Sequence, residues 1–367
     1  MGAARPGAGP LPPRLRRVLV VKLSALGDVA HALPVIEFLA KAAPGIEVDW
    51  AVDRRFAPLL EGNPGLRRVV PLDIRRWKRK WSTADARREA LAGVRQLRQG
   101  RYDAAFDIQG NAKSGLVTRL SGAPLRFGFD RGGVRELPNL LFTNRKVALL
   151  PGDRHIVRKY LRVVSAPFGV TFDPRELRPT VATSAADAST AARIVSELLP
   201  GASPRVALHA GSTWETKRMD PAFWAGAVRS LRARFPDLGV LLSWGSGRER
   251  REAEEIRALA EGTVEILPRL SLKQLAALYR EVGHVMAPDT GPLHVAAAAG
   301  AKTVSVFRAT DGNRNAPCGP GHRFLQAPLP CTACLLKHCP RDAECRASIP
   351  PAAAAEALCS LMAGSAR

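Results

Sequence analysis

Apolar residues in this chain fall into short blocks separated by longer stretches of mixed character, and the two alternate. Val18-Leu-Val-Val21 is apolar and rich in β-branched residues, as a strand buried on both faces should be, and from about Val29 apolar positions return at helical spacing. Further strand-like runs cover 48–52, 69–72, 102–109 and 125–129, with a helical stretch at 115–120. Between 167 and 204 the alternation weakens into a proline-containing connection around one amphipathic helix. It then resumes with strand-like runs at 206–209, 239–245, 264–267, 284–287 and 303–307, each separated by a helical segment.

Repeated βα units of this kind predict parallel sheets covered by helices. A length of 367 residues suits two moderate domains, each with its own apolar interior. The expectation is an α/β protein with two Rossmann-like domains facing a central cleft, at 14–183 and 184–349. A final helix within 350–367 is expected to pack back across that cleft. Residues 1–13, rich in Gly and Pro, are expected to form a disordered leader without the apolar centre of a signal peptide.

Charge narrows the partners. The formal net charge is +22, which points to a polyanion: nucleic acid, an anionic membrane face or a phosphorylated lipid. No apolar run reaches the roughly 18 to 20 residues needed to span a bilayer. Between Arg54 and Arg101 fourteen Lys/Arg stand against four Asp/Glu, most densely in Arg75-Arg-Trp-Lys-Arg-Lys-Trp81. A solvated helix face would look the same by composition. Tryptophan beside Lys and Arg also suits a membrane interface, or stacking on nucleic acid bases.

Candidate chemistry lies where strands hand over to helices, because open α/β sheets bind ligands beyond the carboxyl ends of their strands. Lys22-Leu-Ser-Ala-Leu-Gly-Asp-Val-Ala-His-Ala-Leu-Pro34 places Asp28 at such a handover, where it would also serve as an ordinary N-cap. In Ala287-Pro-Asp-Thr-Gly-Pro-Leu-His294 a strand ends in Asp289-Thr290-Gly291 and a helix starts at about Pro292. Free N–H groups there would cradle an anion, with Gly291 permitting close approach. Asp289 or Thr290 would alternatively be a plain cap, and His294 a packed surface histidine. The loop from His209 to Asp220 offers hydroxyls and Lys217, a point charge suited to a diphosphate. Ser243-Trp-Gly-Ser-Gly-Arg-Glu249 would let a nucleoside lie on its glycines while Glu249 accepts from ribose hydroxyls; otherwise it is a simple βα turn.

These segments, with the basic run at 75–79 and Asp107-Ile-Gln-Gly-Asn-Ala-Lys-Ser114, together resemble the glycosyltransferase family 9 heptosyltransferases. The resemblance runs from Arg16 to about Phe307. It implies a GT-B fold and transfer of L-glycero-D-manno-heptose from ADP-heptose, with inversion at the anomeric carbon. The implied acceptor is a Kdo sugar on lipid A, met at the cytoplasmic face of the inner membrane by a monomeric, peripheral enzyme. Residue by residue, Asp28 matches the general base. Ser212, Thr213, Lys217, Glu249, Asp289, Thr290, Gly291 and His294 match the donor side. Arg75, Arg76, Lys78, Arg79 and Arg135 fall on the acceptor side, where phosphates and the Kdo carboxylate call for bidentate guanidinium groups. A family member acting on a heptosylated acceptor is the near alternative, and a basic nucleic-acid-binding protein the distant one.

No Asp-x-Asp pair occurs, so Lys217 and the helix dipole are expected to replace a divalent ion, and no cofactor is expected. Cys331-x2-Cys334-x4-Cys339-x5-Cys345 has a spacing that tetrahedral zinc could use, and similar clusters occur in other family members. Reduced thiols in a loop are the favoured reading here, with Cys318 and Cys359 unrelated to the cluster.

Overall fold

A computed structural model of the protein describes residues 15–363 except 81 and 171, so the expected leader, Trp81 and residues 364–367 lie outside the described residues, as does the side chain of Lys78. Two six-stranded sheets organise the fold. The front sheet contains β1 Arg17–Val21, β2 Glu47–Asp53, β3 Arg68–Leu72, β4 Ala104–Asp107, β5 Leu125–Phe129 and β6 Arg145–Val147. The rear sheet contains β7 Arg205–Leu208, β8 Gly239–Leu242, β9 Val264–Ile266, β10 His284–Pro288, β11 Lys302–Phe307 and β12 His322–Gln326.

All pairings are parallel, and the orders β3-β2-β1-β4-β5-β6 and β12-β11-β10-β7-β8-β9 are the same winding used twice. Strand order reverses between β1 and β4 in front and between β7 and β10 behind. Ligands of doubly wound sheets sit at such switch points. The residues after β1, β7 and β10 are the ones singled out by their sequence.

The lobes meet through two helices, Leu26–Ala32 from the front and Gly291–Ala298 from the rear. Gly27 and Gly291 make this contact close: a Cβ on Gly27 would stand 2.8 Å from His294 Cδ2, and one on Gly291 2.8 Å from Leu26 Cδ2. One apolar core continues across the seam, joining Val20 and Leu33 to Tyr279 and Val295. A second fills the outer half of the rear lobe around Trp224 and Leu231.

Helix Ile156–Ser165 packs on front-lobe helix Pro34–Ala42, whereas helix Ala185–Leu198 packs on rear-lobe helix Leu272–Val282, so the chain changes lobe between them. The last helix, Pro351–Ala363, departs from expectation. It lies on helix Pro221–Arg234 and strands β11 and β12 of the rear lobe instead of crossing the cleft, its Ala354, Leu358 and Leu361 buried in the outer core. Strands β6 and β12 carry no apolar run in the sequence. Both are edge strands, exposed or half-buried, so their residues need not be apolar.

Candidate active site

In the front crevice Lys22 follows β1 with its side chain only 2% exposed, and its Nζ lies 3.7 Å from Asp28 Oδ2 and 4.7 Å from the centre of the Tyr160 ring. Asp28 is the third residue of its helix, not the cap: Ala25 holds the cap position, and the Asp28 carboxylate accepts from the Ala25 N–H at 3.3 Å. Its other oxygen lies 3.5 Å from the Tyr160 hydroxyl, which donates to it. The turn is held from below by Gln109, whose Oε1 accepts from the N–H groups of Leu23 and Ser24 at 2.7 and 3.0 Å.

Burial pushes the Asp28 carboxyl upward, but Lys22, the Ala25 N–H and Arg135 outweigh it and hold the group below its ordinary value. The carboxylate is therefore ionised and aimed outward, with one-third of its side chain exposed. An ionised carboxylate with solvent access has the chemistry of a proton acceptor.

Of the cations expected on the acceptor side, Arg135 is the one the structure brings within electrostatic reach of Asp28, its own N–H donating to Gly110 O at 2.9 Å. Arg75, Arg76 and Arg79 lie on helix Ile74–Arg79, after β3, two strands away along the same sheet edge. Arg76 pairs with Glu89 at 3.1 Å, Arg75 reaches Asp53 electrostatically, and Arg79 is exposed. Trp77 corrects the sequence reading. It is half-buried against Leu72 and the bare backbone of Gly93, so it anchors the basic helix instead of offering a ring to lipid or bases.

In the rear crevice Asp289 follows β10 and is buried. Its carboxylate accepts from Lys217 Nζ at 2.7 Å, Thr310 Oγ1 at 2.7 Å and His294 Nε2 at 3.3 Å. Burial pushes Asp289 upward, yet His294 and Lys217 hold it far below the usual carboxylate range. Its oxygens are thus spent on side chains and do not cap the following helix. Thr290, at the cap position, makes no side-chain bond either. The first N–H groups of helix Gly291–Ala298 are left for another acceptor, and an anion at the positive end of the dipole is the natural one.

The other donor-side loops converge here. Ser212 Oγ donates to Asp289 O at 3.3 Å, and Lys217 Nζ lies 4.8 Å from the Trp214 ring. Thr213 is exposed on the same loop. Glu249 stands beside Gly211, where a Cβ would come 2.5 Å from its Oε1, while its Oε2 accepts from Gly245 N–H at 2.7 Å. The three rear loops therefore form one continuous wall.

His294 is buried, at 5% exposure, and not at the surface position that was the alternative to its donor-side match. Its ring lies 3.9 Å from that of His31 in the other lobe. His31 Nε2 donates to Asn315 O and His155 Nε2 to Ala316 O, each at 2.8 Å, so front-lobe imidazoles fasten rear-lobe carbonyls. Burial lowers the pKa of His31, His155 and His322, the last to about 4, so all are neutral near pH 7.

Sequence reasoning passed over Tyr160, Thr310 and His31. Thr310 follows β11 and was open to the strand-end rule; Tyr160 reaches Asp28 only through tertiary packing. All six cysteines are free, Cys331 and Cys334 are exposed, and no group of three or more His, Cys, Asp or Glu able to hold a metal occurs among the described residues.

Two doubly wound lobes, with an outward carboxylate on one side of the seam and an uncapped helix start on the other, fit the GT-B class of glycosyltransferases. Residues 90–343 match glycosyltransferase family 9 (heptosyltransferase), and the chain belongs to that family. It is 34% identical over 326 residues to lipopolysaccharide heptosyltransferase 1 of Pseudomonas aeruginosa, covering 88% of this chain and 87% of the relative. With lipopolysaccharide heptosyltransferase 1 of Escherichia coli K12 it shares 32% identity over 318 residues, 85% of this chain and 94% of the relative. The solved structure of E. coli heptosyltransferase WaaC with ADP-2-deoxy-2-fluoro heptose superposes with a TM-score of 0.68 at 30% identity, covering 88% of this chain and 98% of that one.

Proposed function

We propose that this protein transfers L-glycero-D-manno-heptose from ADP-heptose to a Kdo residue of Kdo-lipid A, inverting the anomeric configuration. The observation that carries this reading is the meeting of the Asp28 helix and the Gly291 helix start across the seam, Gly27 against Gly291. Asp28 then stands over the reacting centre as proton acceptor for the Kdo hydroxyl. The donor diphosphate lies at the start of helix Gly291–Ala298. Lys217, whose ammonium has three donors and gives one to Asp289, supplies a second contact to the diphosphate.

Departure of ADP leaves negative charge on the diphosphate, and the helix N–H groups and Lys217 are already in place to receive it. That preorganisation does the work a divalent ion does elsewhere. Glu249 and the glycines of the same wall hold the ribose; Ser212 and Thr213 border the phosphates. On the acceptor side Arg135 meets the Kdo carboxylate, and Arg75, Arg76, Lys78 and Arg79 meet the lipid A phosphates. Relatives that carry the name lipopolysaccharide heptosyltransferase 1 support reading this chain as the enzyme of the first heptose addition, for which we take Kdo as the acceptor. No helix among the described residues is long and apolar enough to cross a membrane, and we place the enzyme peripherally on the cytoplasmic face of the inner membrane.

The test is turnover of ADP-heptose with Kdo-lipid A and, separately, with a heptosylated acceptor, reading the product's anomeric configuration by NMR. ADP should raise the melting temperature, and Lys217→Ala should remove most of that rise. Absence of both transfer and a nucleotide-dependent shift would overturn the reading; transfer only to the heptosylated acceptor would reassign the substrate.

A further inference from the structure

The single-turn 3₁₀ helix Leu137–Leu141 has its polarity inside out. In Leu137-Pro-Asn-Leu-Leu-Phe142 the one polar residue, Asn139, is fully buried, while Leu137 and Leu141 are 52% and 82% exposed. The reason is a pin. Asn139 Nδ2 donates to Asp107 Oδ2 at 2.6 Å and to Asn111 O at 2.8 Å, beneath the front sheet's switch point. With Asn139 and Phe142 drawn in over Gly115, the leucines are forced outward.

Their surroundings are cationic. Between Asp130 and Lys146 there are four Lys/Arg and two Asp/Glu, and Arg131, Arg135 and Arg145 are exposed. The turn packs on helix Ala112–Leu120, whose outward residues Lys113, Leu116 and Arg119 repeat the pattern of leucine between cations. The same loop carries Arg135 to the edge of the Asp28 crevice, its N–H and that of Glu136 both held by Gly110 O. Exposed leucines on a turn flanked by cations match the two halves of an anionic bilayer interface, acyl chain edge and headgroup phosphate.

We propose that the 137–141 turn is a membrane-docking tip, which inserts Leu137 and Leu141 into an anionic bilayer surface and so holds the Asp28 crevice against lipid-borne acceptor. The inference rests on the lipid-acceptor reading above but is tested apart from it. A bilayer is favoured over a protein partner because Arg131 and Arg145 flank the leucines along the chain, Lys113 and Arg119 lie on the helix the turn packs against, and the same sheet carries the basic helix Ile74–Arg79.

The experiment uses the full chain and vesicles, with no substrate present. Wild type should co-sediment with vesicles of mixed phosphatidylglycerol and phosphatidylcholine, and weakly with phosphatidylcholine alone. Leu137→Ser with Leu141→Ser should lower partitioning about tenfold or more, since binding follows buried apolar area. Its melting temperature and its turnover of a soluble, deacylated acceptor should match wild type. Arg131→Glu with Arg145→Glu should erase the preference for anionic vesicles. Unchanged partitioning of the leucine variant would overturn the proposal, as would a wild-type dimer that the same substitutions disperse, because a second copy would then cover the turn. If wild type turns over no acceptor yet the leucines still govern vesicle binding, the substrate assignment falls and the docking tip stands.

Discussion

The two crevices are built from the same pair of residue types with opposite polarity. In front, Lys22 is 2% exposed and Asp28 33%; behind, Asp289 is 8% exposed and Lys217 17%. In each lobe the residue following the strand is the deeper one, and its partner, on a loop or helix, faces the cleft. Whichever sign sits at the strand end therefore decides what the crevice offers. One winding, used twice, presents an anion at the front crevice and a cation at the rear one, which suits the proposed proton acceptor in front and the proposed diphosphate site behind. The pairs also differ in tightness, 3.7 Å in front and 2.7 Å behind, so the front carboxylate is the less tightly held of the two and the rear one is a fixed strut.

The sharpest way to break this contrast is Asp28→Asn. It should lower kcat by about 10²- to 10⁴-fold, the range for loss of a general base, while the ADP-induced rise in melting temperature persists because the rear crevice is untouched. Full activity in the variant would end the assignment of Asp28. Asp289→Asn should act on the fold instead. Removing one member of a buried ion pair costs about 3–5 kcal/mol, so denaturant unfolding should show a loss of that order, well above the loss from Asp28→Asn. Equal losses would show that the two pairs do not differ as struts.

Acid tests the seam between the crevices. Burial holds His322 at about 4 against an ordinary 6.5, so below 6.5 the unfolded chain binds the proton that the folded chain refuses. Stability from this group is complete above pH 6.5 and drains away as pH falls toward 4, by about 3 kcal/mol at 1.36 kcal/mol per unit. His31 and His155 shift in the same direction and add to the slope. Melting temperatures across that window should fall more steeply in wild type than in His322→Asn; parallel curves would clear His322 of a part. The smallest effect belongs to Arg76→Ala. Its pair with Glu89 is exposed, worth under about 1 kcal/mol, so stability should scarcely move while the KM for phosphorylated acceptor rises in a salt-sensitive way.

Much of this architecture could be read from the chain because doubly wound sheets bury their central strands completely. Val18 to Val21 and the stretch before Asp289 are apolar for that reason, and the rule placing ligands beyond strand ends then points at Asp28, Lys217 and Asp289 without coordinates. The edge strands Arg145–Val147 and His322–Gln326 escaped because an edge needs no apolar run. Tyr160 escaped for another reason: it meets Asp28 across 132 positions of chain, and no local pattern records such a contact. Trp77 and the final helix were misplaced by the same omission. Composition says that a ring or an apolar helix needs cover; only packing says that Gly93 and the rear lobe supply it.

Gly27 and Gly291 let the two lobes meet on bare backbone. A methyl on either would act as a shim, prising apart the two helices at the seam between the front and rear crevices. Since a misplacement of about 1 Å can cost 10²-fold in rate, the spacing of the two crevices is gauged by the thickness of two hydrogens, at residues that have no side chain to lose.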